Sequence, residues 1–257
     1  MQPNTQLTRR AALGVLGAGG LFVASYKIAG GGGDDSSTAS AAAPADTAST
    51  DAGTAIPEET GGPFPADGTN GPDALAMDGV VRSDITTSFG EFTGTADGVP
   101  LDVDLRVVEA GSGDPMPGTA VYLWHCTQSG GYSMYQDLAD QNYLRGVQEA
   151  DADGNLRFTT IFPAAYDGRW PHAHLEVYAS VDEATGGGTP LATSQLAFPE
   201  DVCDEVYATD GYEASIDNLA RTSLTTDMVF SDGVDQQTPT ITGSVADGLV
   251  ASLVVPV

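Results

Sequence analysis

His172 and His174, two of the chain's three histidines, stand at i and i+2. On a β-strand that spacing turns both imidazoles to one side. It puts their Cα atoms about 6–7 Å apart, a span that suits two imidazoles sharing one metal ion. Glu176 follows on the same face, but it lies about 13 Å along the strand from His172. That is too far for both to reach one ion, so further ligands must come from elsewhere in the fold. Two turn tyrosines are candidates. Tyr132 sits in Ser129-Gly130-Gly131-Tyr132-Ser133, directly after a run that ends in Trp124-His125. Tyr166 sits in Pro163-Ala164-Ala165-Tyr166-Asp167-Gly168, just before the histidine pair. A tyrosine in a turn has no packing duty unless the turn lines a site. Taken singly, each tyrosine reads as a surface or half-buried aromatic, and the histidine pair as a hydrogen-bonded strand face.

The elements that must position these residues are short. Residues 101–107 alternate apolar and polar, 119–125 form a β-rich run with Val121, Tyr122, Leu123 and Trp124, and 156–161 alternate again. Residues 172–180 set His, His, Glu and Tyr on one face against Ala, Leu, Val and Ala on the other. Strands are also predicted over 191–198, 226–230, 238–245 and 249–255, with Gly, Pro, Asp and Asn clusters between them. Only 207–219 offers room for a short helix. Many short strands at this spacing predict an all-β fold with few short helices, a β-sandwich or barrel.

Composition bounds the function. The chain has 257 residues, 41% hydrophobic and 18% charged, enough apolar material for one packed domain. Nine Lys plus Arg against 36 Asp plus Glu give a formal charge of −27. Nucleic-acid binding needs a basic patch that this chain cannot spare, and an anionic membrane surface would repel it. Thr8-Arg9-Arg10-Ala11-Ala12-Leu13 opens an uncharged apolar run. Residues 1–33 therefore read as a twin-arginine-type export signal. The run over 11–26 is short of the roughly 20 apolar residues of a spanning helix. The expectation is an extracellular or cell-envelope protein with no stable membrane insertion of its mature domain. Residues 34–55 form a flexible Gly, Ser, Ala and Asp linker, and 56–257 the folded domain. Beyond residue 33 there are six Arg, no Lys and 36 acids, a formal charge of −30, which suits a salty exterior. Cys126 and Cys203 make an even count in an exported chain, which predicts a disulfide. Closing that span would contribute about 4 kcal/mol.

Read in order, Trp124-His125, Gly131-Tyr132-Ser133, Leu144-Arg145-Gly146, Asp153-Gly154, Phe158-Thr159-Thr160-Ile161, Pro163, Tyr166 and Gly168-Arg169-Trp170-Pro171-His172-Ala173-His174 form a pattern. It resembles the intradiol ring-cleavage dioxygenases, non-haem iron(III) enzymes that split catechols between the two hydroxyls, and looks most like their exported single-domain branch. The resemblance covers about residues 56–255 and implies a β-sandwich of the intradiol dioxygenase type. It further implies an Fe(III) cofactor held by Tyr132, Tyr166, His172 and His174, with a catecholic substrate and O2 as partners. Hard Fe(III) favours anionic oxygen, and a bound cation deprotonates a phenol whose free pKa is about 10.

By the same resemblance, an incoming catechol displaces Tyr166, which takes a substrate proton. His174 lies opposite Tyr166, with Tyr132 and His172 in the plane, and the product is a muconic-type diacid. Arg169 stabilises negative charge on the substrate, and Gln195 supports the site. Phe64 and Pro65, in Gly61-Gly62-Pro63-Phe64-Pro65, border the pocket, with Phe64 where a hydroxyl is common in the family. With six arginines available, a neutral catechol is expected over one bearing a carboxylate. The rival readings are a secreted binding sandwich without catalysis and a zinc hydrolase built on the histidine pair, which would need a carboxylate third ligand. Neither needs the two turn tyrosines.

Overall fold

Apolar side chains at every second position build two four-stranded sheets in the computed structural model, which describes residues 53–257. The strands are β1 (Pro100–Val108), β2 (Ala120–Trp124), β3 (Arg145–Glu149), β4 (Asn155–Ile161), β5 (His172–Tyr178), β6 (Ala192–Ala197), β7 (Thr240–Ser244) and β8 (Gly248–Pro256). Their spatial orders are β4-β1-β8-β7 and β3-β2-β5-β6. Every neighbouring pair is antiparallel except β1 with β8. Leu101, Val103 and Leu105 of the first sheet share one core with Leu123, Leu175 and Leu196 of the second. The molecule is therefore a β-sandwich, as the strand spacing predicts.

The two sheets are covered differently. In β1, β4 and β8 buried and wetter positions alternate, so one face of the first sheet meets water. In β2 and β5 every position is buried, so the second sheet is covered on both faces. Its inner face joins the sandwich core. Its outer face, with Tyr122, Trp124 and Tyr178, packs against Leu75 and Val80 of the N-terminal segment and against Cys126, Tyr132 and Ala164 of the loops. Residues 53–99 contribute no regular strand and instead run along the sheet edges. Ile56 N donates to Pro256 O at 2.8 Å, Glu59 N to Thr193 O at 2.7 Å and Arg82 N to Val147 O at 2.9 Å.

Several expectations are corrected. β3 was not predicted, because Arg145-Gly146-Val147-Gln148-Glu149 lacks the apolar alternation of the other strands. Residues 226–230 are not a strand. Buried Asp227 accepts from Val229 N at 2.8 Å and Phe230 N at 3.1 Å, a local side-chain bond that curls the backbone into a turn. Among the described residues three short α-helices form: α1 (Val181–Thr185), α2 (Glu200–Tyr207) and α3 (Glu213–Leu219). Only α3 lies wholly within the predicted helical stretch. α2 buries Cys203, Val206 and Tyr207 at the i, i+3, i+4 spacing of one helical face, and Ser180 Oγ caps α1 by accepting from Glu183 N. Cys126 and Cys203 are separate buried thiols and not a disulfide. Cys126 packs on the outer face of the second sheet and Cys203 in the sandwich core. Burial pushes the Cys126 thiol up to about 12. The export segment and most of the linker lie outside the described residues, among which no helix is long and apolar enough to cross a membrane.

His125, the third histidine, ties β2 to the first sheet. Its Nδ1 lies 2.8 Å from the Cys126 carbonyl, which only accepts, so Nδ1 carries the proton. Nε2 then accepts from Thr160 Oγ1 at 2.7 Å. Burial first, with Arg145 adding to it, lowers the His125 pKa to about 4. The unfolded chain therefore binds a proton between pH 6.5 and 4 that the folded chain refuses. The contribution is complete above pH 6.5 and is lost as the pH falls towards 4, amounting to about 3 kcal/mol. Denaturant unfolding at pH 7 and pH 4 should show a smaller acid loss of stability for His125→Gln than for the wild type, and equal losses would contradict this assignment.

Candidate metal centre and active site

β5 carries His172 and His174 onto the covered outer face of the second sheet. Register sets Trp124, His174 and Gln195 in one row across β2, β5 and β6. Trp124 stacks flat on His174, with ring centroids 4.8 Å apart and 4° between planes. The turn after β2 supplies Tyr132 and the turn before β5 supplies Tyr166. The two turns touch closely: a Cβ on Gly130 would stand 3.2 Å from Tyr166 Cβ.

The structure brings these four side chains together. Tyr166 Oη lies 3.1 Å from His172 Nε2. Tyr132 Oη lies 3.4 Å from both His174 Nε2 and Tyr166 Oη, and the two Nε2 atoms are 3.2 Å apart. His172 Nδ1 is 2.5 Å from the Trp170 carbonyl, so its proton sits there and Nε2 points a bare lone pair inward. His174 Nδ1 is buried without a fully formed hydrogen bond, although the Thr60 backbone acts on it. Burial, then the charge of Arg169, lowers the His172 pKa to about 3. Burial, then His172, holds His174 well below its ordinary value. Burial raises both phenols, Tyr132 well above its ordinary value. Alone, the four donors are therefore neutral.

This donor set fits a metal ion. Ligand bonds of roughly 2.0–2.2 Å place neighbouring donors about 3 Å apart, close to the spacings found here. Glu176, on the same face, has its Oε2 taken by Tyr178 Oη at 2.7 Å. Among the described residues no group of three or more His, Cys, Asp or Glu is placed to hold a metal. The carboxylate third ligand that a zinc hydrolase would need is therefore missing from the cluster.

Arg169 reaches the same centre. Its NH1 lies 3.5 Å from His172 Nε2, its NH2 donates to Gln195 Oε1 at 2.8 Å and its Nε donates to Asp227 Oδ2 at 2.9 Å. Gln195 Nε2 in turn donates to Thr60 O at 2.7 Å. Asp227 was invisible in the sequence, where it fell inside an expected strand. Burial pushes its carboxyl up, but the N–H of Trp170, the Arg169 guanidinium and the N–H groups of Val229 and Phe230 outweigh this and hold it below the usual range.

Phe64 packs on Tyr132 at 5.2 Å and on Tyr135 at 4.9 Å between ring centroids, beside a cavity of about 260 Å³ that Tyr132, Tyr135 and Leu138 also line. Pro65 offers its carbonyl to Tyr122 Oη at 2.7 Å and to Arg145 NH1 at 2.9 Å. Arg145 is fully buried. It also donates to Phe64 O, Ser133 O and Ser133 Oγ. The only sequence signal for it was its place in the Leu144-Arg145-Gly146 motif.

Gly62 has φ +71°, and a Cβ there would come within 3.2 Å of His174 Cε1. Gly62→Ala should lower stability by about 1–2 kcal/mol from the left-handed backbone alone and weaken metal binding by pressing on His174. Thermal unfolding and metal titration measure both, and an unchanged metal affinity would contradict the contact.

Residues 71–187 match the family model described as Dioxygenase. Chlorocatechol 1,2-dioxygenase from Rhodococcus opacus is 33% identical over 108 residues, which is 35% of this chain and 40% of that protein. The chain thus matches less than half the length of that relative. Among solved structures, an intradiol ring-cleavage dioxygenase from Tetranychus urticae aligns with a TM-score of 0.61 at 24% identity, over 79% of this chain and 93% of that one. The dioxygenase domain of a carbohydrate-binding fusion protein from Streptomyces sp. SirexAA-E aligns with a TM-score of 0.50 at 22% identity, over 78% and 96%. The structural likeness speaks to the fold, and the sequence matches show similarity to catechol-type 1,2-dioxygenases over less than half of the chain.

Proposed function

We propose that the protein is an exported, Fe(III)-dependent intradiol dioxygenase. It opens the ring of a catechol between its two hydroxyl-bearing carbons with O2 and releases a muconic-type diacid. The observation that supports this best is the buried convergence of two phenol oxygens and two imidazole nitrogens. Tyr132, Tyr166, His172 and His174 would hold the iron, because two phenolates with two neutral imidazoles suit a hard ferric ion. Bound there, the iron supplies the redox-active centre that makes a catecholate reactive towards O2.

The chain's own residues do the rest. A catechol has to lose protons on entry, and Tyr166 Oη is placed to take one. Tyr166 is the half-exposed member of the cluster, next to exposed Asp167 and Gly168, so it is the donor with room to swing out. Arg169 NH1 then faces the substrate oxygens and stabilises their charge. Phe64 and Pro65 wall the pocket against water. The export reading of residues 1–33 belongs to this same proposal.

A neutral catechol suits the site, because the described arginines other than Arg169 are engaged elsewhere. Arg82 lies over Phe89 and donates to Arg145 O. Arg145 is buried on neutral acceptors. Arg157 pairs with Asp102 and Asp104, and Arg221 binds Asn218 and Asp167. Arg106 donates to Asp153 O from the first sheet. The relative named for chlorocatechol, a diol without a ring carboxylate, points the same way.

Iron-reconstituted protein should show a visible tyrosinate-to-iron absorption band that shifts on anaerobic addition of catechol and returns on admitting air. Protein that stays colourless with iron would sink the reading. Tyr166→Phe should lose at least about 100-fold in kcat with its thermal midpoint kept. In kcat/KM, catechol should exceed protocatechuate, and the opposite order would show that a cation for the carboxylate has been missed.

A further inference from the structure

Arg169 has three nitrogens, and the fold assigns each a direction. Nε is bound by Asp227 Oδ2 at 2.9 Å and NH2 by Gln195 Oε1 at 2.8 Å. That leaves NH1 as the nitrogen turned to the donor cluster, 3.5 Å from His172 Nε2. Gln195 sits on β6 and is itself anchored to Thr60 O. Asp227 is completely buried and holds four donors at once, two on each oxygen. Oδ1 takes Val229 N and Phe230 N, which shapes its own turn. Oδ2 takes Arg169 Nε and also Trp170 N at 2.7 Å. One carboxylate oxygen therefore fixes both the guanidinium and the backbone two residues before His172. The Phe230 ring, held by the same turn, lies 5.8 Å from the guanidinium carbon.

We infer that Asp227 is a positioning residue for the reaction: it locks the Arg169 guanidinium so that NH1 alone faces the substrate oxygens. The inference rests on the dioxygenase reading above. An arginine side chain free to rotate would spread its charge over several orientations, and misplacement of a charge-stabilising group by about 1 Å costs about 100-fold in rate. Asp227 touches no reacting atom. It acts through Arg169, and its loss should appear in kcat far more than in catechol KM.

Asp227→Asn separates the two oxygens. Its amide oxygen can keep the Val229 and Phe230 bonds, while its NH2 group meets the Arg169 and Trp170 donors and cannot accept from them. In iron-loaded enzyme, Asp227→Asn should lower kcat by about 10–100-fold, and Arg169→Met should lower it at least as far. In the Arg169→Met background the Asp227 change should add little. A purely structural Asp227 would cost the same factor in both backgrounds, and that result overturns the inference. The clamp has a second readout that needs neither iron nor turnover. In metal-free 15N-labelled protein, the Arg169 Nε–H resonance, assigned by its loss in Arg169→Met, should exchange slowly with water. In Asp227→Asn it should exchange fast, and unchanged slow exchange there also overturns the inference. Should Asp227→Asn fail to fold, Asp227→Glu keeps the charge but moves it by one methylene, and both readouts apply to it. A wild type that binds iron yet never turns over catechol would sink the dioxygenase reading, and the catalytic role with it, while the exchange result would still report the clamp.

Discussion

Arg145 leaves water completely on folding, and a guanidinium in the interior is costly unless its N–H groups find acceptors. It finds them on neutral oxygens, with no ion pair: Phe64 O, Pro65 O, Ser133 O, Ser133 Oγ and Tyr122 Oη. Three segments far apart in sequence are thereby drawn to one point on the outer face of the second sheet. The backbone around that point is unusual. Ala66, Met134 and Leu144 all have positive φ, at 52°, 69° and 56°, and each directly adjoins Arg145 or a residue that it binds. Left-handed backbone at a residue with a Cβ costs about 1–2 kcal/mol, and such strain persists only where the surroundings over-determine it. The Arg145 bonds are that over-determination, and they set both the Phe64–Pro65 segment and the loop that carries Tyr132.

The same face creates the electrostatic demand that a cation would meet. Burial keeps the two imidazoles and the two phenols neutral, and the Nε2 atoms confront each other at 3.2 Å. The cations that act on the pair are Arg169, matched by Asp227, and Arg145, which binds neutral oxygens. The Trp170 carbonyl and Asp227 favour a protonated His172, but burial and the charge of Arg169 outweigh them. A multivalent cation is different, because it converts the phenols to phenolates and so brings its own counter-charge into the site. The turn tyrosines would thus distinguish such a centre from a carboxylate-ligated one.

Much of this was legible from residue types. Period-two alternation gave β1, β4, β5 and β8, because those strands have at least one apolar face that must be buried. The i, i+2 histidines needed only strand geometry to share a side, and the turn tyrosines stood out for lacking a packing role. What escaped depended on contacts between distant segments. β3 has no apolar alternation and is a strand because β2 and the edge segment at Val80–Arg82 bond to it. Asp227 looked like part of a strand until Arg169 and Trp170 were brought to it. An even cysteine count in an exported chain says nothing about the distance between the thiols. In the fold, the two thiols belong to different clusters.

The four donors also differ in how firmly they are held, and the difference follows from their elements. His172 and His174 sit on a central strand buried on both faces, with Trp170 fixing one ring and Trp124 stacking on the other. Tyr132 is buried and is followed directly by Ser133, which Arg145 grips by its carbonyl and hydroxyl. Tyr166 is the most exposed of the four, although Ala165 before it is held by Ser215 Oγ at 3.1 Å and Asn218 Nδ2 at 2.9 Å. It stands half-exposed on a turn whose next two residues are in water. On the proposed reading, Tyr166 is the donor that would move to admit a bidentate substrate, while the three more deeply buried donors keep the frame. The strand and the Arg145 knot supply the rigidity, and the turn before β5 carries the donor with most access to water.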